Sequence, residues 1–70
     1  MPQFCVNKNA QSNGDHEVHD LSLGTSCLPI AANRQDLGSH VSCVSAVQVA
    51  RRYYTQVNGC AWCAPSCHTS

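Results

Sequence analysis

Asn58-Gly59-Cys60-Ala61-Trp62-Cys63-Ala64-Pro65-Ser66-Cys67-His68 is the stretch that decides how this 70-residue chain can fold. Two cysteines three positions apart around a tight turn can aim both thiolates at one tetrahedral ion. The same spacing serves thioredoxin-like redox centres, but there the pair opens a helix inside a βαβ unit. Here it follows a glycine after a helical stretch, and 70 residues leave no room for βαβ. Cys67 and His68 add a thiol and an imidazole to the same tail. A knuckle of this kind supplies half a site. The other half must come from upstream, where Cys27 and the His16-x-x-His19 pair are the available donors. A structural zinc takes four protein ligands. The expected set is Cys27, Cys60 and Cys63, with the fourth drawn from His19 or Cys67, around one zinc ion. The plainer reading of His16 and His19 is that both are ordinary polar strand or loop residues. His40 has no neighbour at ligand spacing and is read as structural.

Composition explains why such a staple is needed. A domain this small buries only about 60% of the surface its unfolded chain exposes. Leu, Ile, Val and Phe together number 13 of 70 residues, while six cysteines and seven alanines make up much of the remaining apolar content. That aliphatic content is near the level at which a folded core becomes doubtful. Disorder would usually bring a high net charge, yet four Lys/Arg balance four Asp/Glu. Small scaffolds make up the deficit with disulfides, a metal or oligomerisation.

Working outward from the knuckle, Cys43 to Tyr54 carries a helical pattern. Val44, Val47, Ala50 and Tyr54 fall on one face. Ser42 is placed to cap the helix N-terminus. Arg51 and Arg52 sit in the last turn, solvated and favourable to the helix dipole, and Asn58-Gly59 follows as a stop. Three valines weaken the intrinsic propensity of the segment, so packing or the staple must hold it. Upstream, Gln3 to Val6 and His16 to His19 read as strands of a hairpin with a long loop rich in Asn, Ser and Gly. Alternation puts His16 and Val18 on one face and Glu17 and His19 on the other. Leu21 to Ser26 is expected as loop, Pro29 bars helix, and Leu37 to Val41 is a candidate third strand. Cys5 and Cys43 sit in apolar runs and are read as buried thiols, the alternative being a Cys5 to Cys43 disulfide or a ligand role. Trp62 is expected to pack against the helix, with a role as an exposed interaction handle as the alternative.

The same features exclude several functions. A neutral chain of pI near 6.9 lacks the clustered Lys/Arg that phosphate binding needs, so a nucleic-acid partner is not expected. No apolar run approaches membrane-spanning length, and no membrane role is expected. The N-terminus has neither the basic nor the apolar region of a secretion signal. A cytoplasmic, reducing location is therefore expected, where closely spaced cysteines are metal ligands more often than bridges. No Ser/His/Asp order, paired carboxylates or phosphate-cradling loop is present, so no catalytic residue is assigned and an enzyme is not expected.

The order of a ligand-bearing hairpin, Cys27, Asn33-Arg34 and a short strand, a Ser42-capped helix and Gly59-Cys60-x-x-Cys63 resembles the small metal-binding domain of the Ada DNA-repair protein and related stand-alone modules. The resemblance covers roughly residues 16 to 63. Val6 to His19 and Asn58 to His68 also resemble the ends of a family of short uncharacterised bacterial proteins. The Ada-type domain has a second upstream cysteine near the first and a basic DNA-contacting surface, and this sequence has neither beside Cys27. The resemblance thus implies a metal staple and not methyl transfer onto a bound thiolate.

The expectation is a single small α+β domain over residues 1–70, with two or three short strands, one main helix at about residues 42–55 and an irregular Cys-rich tail stapled by metal. Its expected function is a zinc-stabilised binding or interaction module with an unnamed protein or small-molecule partner. The alternatives are a thiol redox or metal-handling protein using Cys60, Cys63 and Cys67, and a disulfide-stapled secreted peptide.

Overall fold

The computed structural model describes residues 1–23 and 27–69. It is a small α+β fold in which one four-stranded sheet, ordered β3-β1-β2-β4, carries a single helix on one face. β1 (Gln3–Asn7) and β2 (His16–Asp20) form the expected antiparallel hairpin, with Val6 opposite Val18 and Cys5 opposite His19. β3 (Arg34–Ser39) adds antiparallel to the other edge of β1. It begins three residues before the predicted strand at Leu37. Its register shifts between Phe4 and Cys5, and Gly38 there takes φ +81, a left-handed conformation that a side chain would strain.

A fourth strand was not expected. β4 (Val57–Gly59) pairs parallel to β2, with His16 opposite Val57 and Val18 opposite Gly59. The Asn58-Gly59 pair, which suggested only a helix stop, is part of this strand. Three residues are too few to show a period, and a parallel partner 41 positions away leaves no local trace.

α1 (Cys43–Ala50) is shorter than the predicted 42–55 span, and a run of turns follows it through Tyr53. Ser42 caps it as expected, its hydroxyl accepting from the Val44 N–H at 3.3 Å. The buried face overlaps the predicted one in part: Cys43, Ala46 and Ala50 face inward, while Val44 is 58% exposed. Small side chains on the inner face allow close approach to the sheet, where the core is built with Phe4, Val6, Val18, Leu37 and Ala64. Ala50 of the predicted stripe lies in the core and Val47 and Tyr54 pack at its margin, so Val44 alone of that stripe faces solvent. Arg51 and Arg52 are exposed, as a solvated helix end requires.

Strand alternation gives the sheet two unlike faces. Phe4, Val6 and Val18 point to the helix, and His16 on that side stacks on Tyr54 with ring centroids 3.8 Å apart. The residues between them in β1 and β2, Cys5, Glu17 and His19, belong to the opposite face. The predicted loop from Leu21 to Ser26 opens as a 3-10 turn at Leu21–Leu23, and residues 24–26 lie outside the described residues. No helix among the described residues is long and apolar enough to cross a membrane.

Candidate metal centre

His19, Cys27, Cys60 and Cys63 are positioned to hold a metal ion. One ligand atom from each lies within 4.8 Å of all the others. The parallel β2–β4 pairing creates half of this arrangement. With Val18 opposite Gly59, the residues that follow them, His19 in β2 and Cys60 just past β4, emerge at the same level of the sheet edge. The Cys60 N–H donates to Val18 O at 2.9 Å and extends the ladder to that point. The chain then turns back: Ala64 N–H donates to Cys60 O at 2.9 Å, which brings Cys63 over Cys60.

Cys27 arrives from the long connection between β2 and β3. That connection is tied down near its end, where the Arg34 side chain donates from Nε to Pro29 O at 2.8 Å. A 3-10 turn at Ala31–Asn33 leads into β3, and the Lys8 N–H donates to Asn33 O at 2.8 Å. Loop and strands therefore converge on one corner of the ligand face.

Three of the four donors are buried. His19 and Cys60 are each 1% exposed and Cys63 is 3% exposed, while Cys27 is half-buried. The Nδ1 atom of His19 lies 3.3 Å from Cys63 Sγ, so this nitrogen faces the thiols. Burial pushes the His19 pKa down, with Arg34 adding to the effect, and so favours the neutral imidazole that a metal ligand must be. Burial raises the Cys63 thiol to about 12, opposed by a hydrogen bond from the Asp20 backbone and reinforced by contacts with Cys27 and Cys60. Crowded buried thiols of this kind resist ionising one beside another, and a cation among them reverses that preference.

Of the five predicted ligands, the structure brings together Cys27, Cys60, Cys63 and His19. Cys67 requires correction. It is bonded to Cys43 across 24 positions of sequence, and this disulfide joins the start of α1 to the tail beyond the knuckle. The predicted alternatives for Cys43, a buried free thiol or a bond to Cys5, give way to this pairing. Cys5 is a buried free thiol, as read, but it faces away from the helix core. Its pKa is raised to about 11, mainly by burial.

Gly59 is needed where the tail folds back. A Cβ there would lie 2.6 Å from Cys67 Cβ and 2.8 Å from Ala64 O, both closer than packed atoms approach. The tail is also fixed by His68 Nδ1 at 3.0 Å from Gly59 O. His68 thus serves the tail and not the ligand cluster. His40, expected to be structural, has Nε2 at 2.6 Å from Leu37 O and Nδ1 at 2.9 Å from Ser45 Oγ, tying β3 to the helix. Trp62 does not pack on the helix. It is 79% exposed at the tip of the knuckle, because the turn that aims Cys60 and Cys63 inward turns the two residues between them outward.

In comparison with known proteins, the chain matches no family model, no curated protein and no solved structure. The Ada-type layout remains a resemblance of order and spacing, and the functional reading rests on the geometry of the corner.

Proposed function

We propose that this protein is a small binding module stabilised by one zinc ion held by His19, Cys27, Cys60 and Cys63. The convergence of four soft-to-borderline donors within 4.8 Å carries the reading. Zinc–sulfur bonds of about 2.3 Å in a tetrahedron place the donors about 3.8 Å apart, so a small contraction suffices. Four protein donors leave no open position for substrate, which favours a structural ion over a catalytic one. Three thiolates also suit zinc better than hard cations such as calcium or magnesium. Trp62, exposed on a turn that the ion would make rigid, is the contact such a module would offer a protein or small-molecule partner.

A second reading, a disulfide-stapled peptide of an oxidising compartment, is favoured by the Cys43–Cys67 bond. On the leading reading the location is cytoplasmic and this bond is an addition to the metal staple. Native mass spectrometry of the purified chain separates the two. The leading reading expects one zinc per chain, retained when a mild reductant opens the Cys43–Cys67 bond. Metal-free chain with all six thiols paired would overturn it.

A further inference from the structure

His19 Nε2 is the one buried side-chain nitrogen or oxygen without a hydrogen-bond partner among the described residues. An orphaned donor at such depth is costly, and its position shows what is missing. The ring presents Nδ1 to the thiols, so Nε2 must carry the proton once Nδ1 binds a metal. The Nε2–H then needs an acceptor on the ligand face of the sheet.

Few groups there can serve. Arg34 only donates. Cys5, opposite His19 in the hairpin, offers a thiol sulfur, which is a weak acceptor. Asp36 pairs with Cys5 from the far strand, β3, and its Oδ1 accepts from the Gly38 N–H. Asn58 is committed to Asp15 and Thr69. Glu17 remains. It is two residues before His19 on the same strand and therefore on the same face, with Oε1 3.9 Å from Nε2. Its side chain is 20% exposed, open enough for a small torsional change to bring the carboxylate into hydrogen-bond range.

We infer that Glu17 is a positioning residue of the metal centre, its carboxylate accepting the His19 Nε2–H so that Nδ1 is held toward the ion. This rests on the metal-binding reading above and adds to it a residue outside the ligand set. Such outer carboxylates fix the imidazole tautomer and raise its basicity, and their loss typically weakens metal binding by about 10–100-fold.

The test uses the full chain with zinc as the probe. Affinities are measured by chelator competition for wild type, Glu17→Gln, Glu17→Ala and Asp36→Asn, and long-range 1H–15N NMR reports the His19 ring. Wild type is expected to bind one zinc through Nδ1, with a protected Nε2–H. Both Glu17 variants should retain one-to-one binding about 10–100-fold more weakly, with faster exchange of the Nε2 proton. Asp36→Asn removes a negative charge from the same face without touching Nε2, and its affinity should match wild type. Folding of each zinc-loaded variant is checked by its backbone NMR spectrum, so that the isosteric Gln variant remains informative if the Ala variant is unstable. Wild-type affinity in Glu17→Gln, equal weakening in Asp36→Asn, or zinc bound through Nε2 would each overturn the assignment while leaving the metal-binding reading intact. Failure of the wild type to bind zinc would overturn both.

Discussion

On the helix side of the sheet, Phe4, Val6 and Val18 meet Ala46 and Ala50 in a small apolar core. On the other side, Cys5 and His19 are just as deeply buried, yet what gathers there is thiol and imidazole. Burial stabilises the first face directly, by about 1.5–3 kcal/mol for each large apolar side chain. It does nothing comparable for the second, where His19 Nε2 has no hydrogen-bond partner and burial raises the pKa of the Cys63 thiol. The difference teaches what a metal would do in this fold. It would convert the ligand face from a cost of burial into a covalent-like cross-link among β2, the β2–β3 connection and the tail.

Removal of a ligand should have the largest effect. Cys60→Ala should abolish stoichiometric zinc binding and, with it, the folded spectrum, since structural zinc sites contribute apparent binding energies of about 10–16 kcal/mol. Cys5→Ala, on the same face but outside the ligand set, should keep one zinc per chain. Equal loss of metal in the two variants would show that the ligand set is wrong. Phe4→Ala tests the opposite face. It should cost about 3–5 kcal/mol in chemical denaturation of the zinc-loaded protein while leaving metal stoichiometry at one. Loss of zinc from an otherwise folded Phe4→Ala chain would mean that the two faces are not independent.

The Cys43–Cys67 bond lies between these cases, because it ties the helix to the tail just beyond the knuckle. Cys67→Ser should lower stability by about 3 kcal/mol, the value expected for a loop of this length. Zinc should remain bound, since Cys67 is outside the convergent four. Quantitative loss of zinc in this variant would restore Cys67 to the ligand set. A smaller and graded effect is expected from pH. The Cys63 thiol, raised to about 12 without metal, is protonated at neutral pH, so binding must displace at least one proton. Affinity should therefore fall about tenfold or more for each unit of pH lowered, measured by competition titration. A flat profile between pH 8 and 6 would rule out thiolate ligation by Cys63.

Much of this division between faces was legible in the sequence. The alternation of His16-Glu17-Val18-His19 separated a core residue from a ligand residue, and Ser42 marked the start of the helix. The Cys60-x-x-Cys63 knuckle and lone Cys27 supplied three of the four donors by spacing and elimination. What could not be read was non-local. β4 is three residues long and is defined by its parallel partner, so Asn58-Gly59 looked like a stop. The choice between His19 and Cys67 turned on that same pairing, which raises Cys60 level with His19. The Cys43–Cys67 bond depends on how the tail folds over Gly59, and no cysteine spacing encodes it. Likewise, the helix face was read only in part, because Val44 carries more hydrophobicity than the Ala46 that is buried in its place. The sheet selects the smaller side chains for close approach.

If metal holds the ligand face together, chelation of the intact protein should undo the fold. Zinc-loaded chain at neutral pH, under a mild reductant that keeps free thiols reduced, is treated with EDTA and followed by circular dichroism and backbone NMR. The dispersed spectrum and the signal of the eight-residue helix are expected to be lost as zinc leaves, and both to return when zinc is restored. Retention of the full helical signal and of the β2–β4 cross-strand contacts in metal-free, fully reduced chain would contradict this expectation.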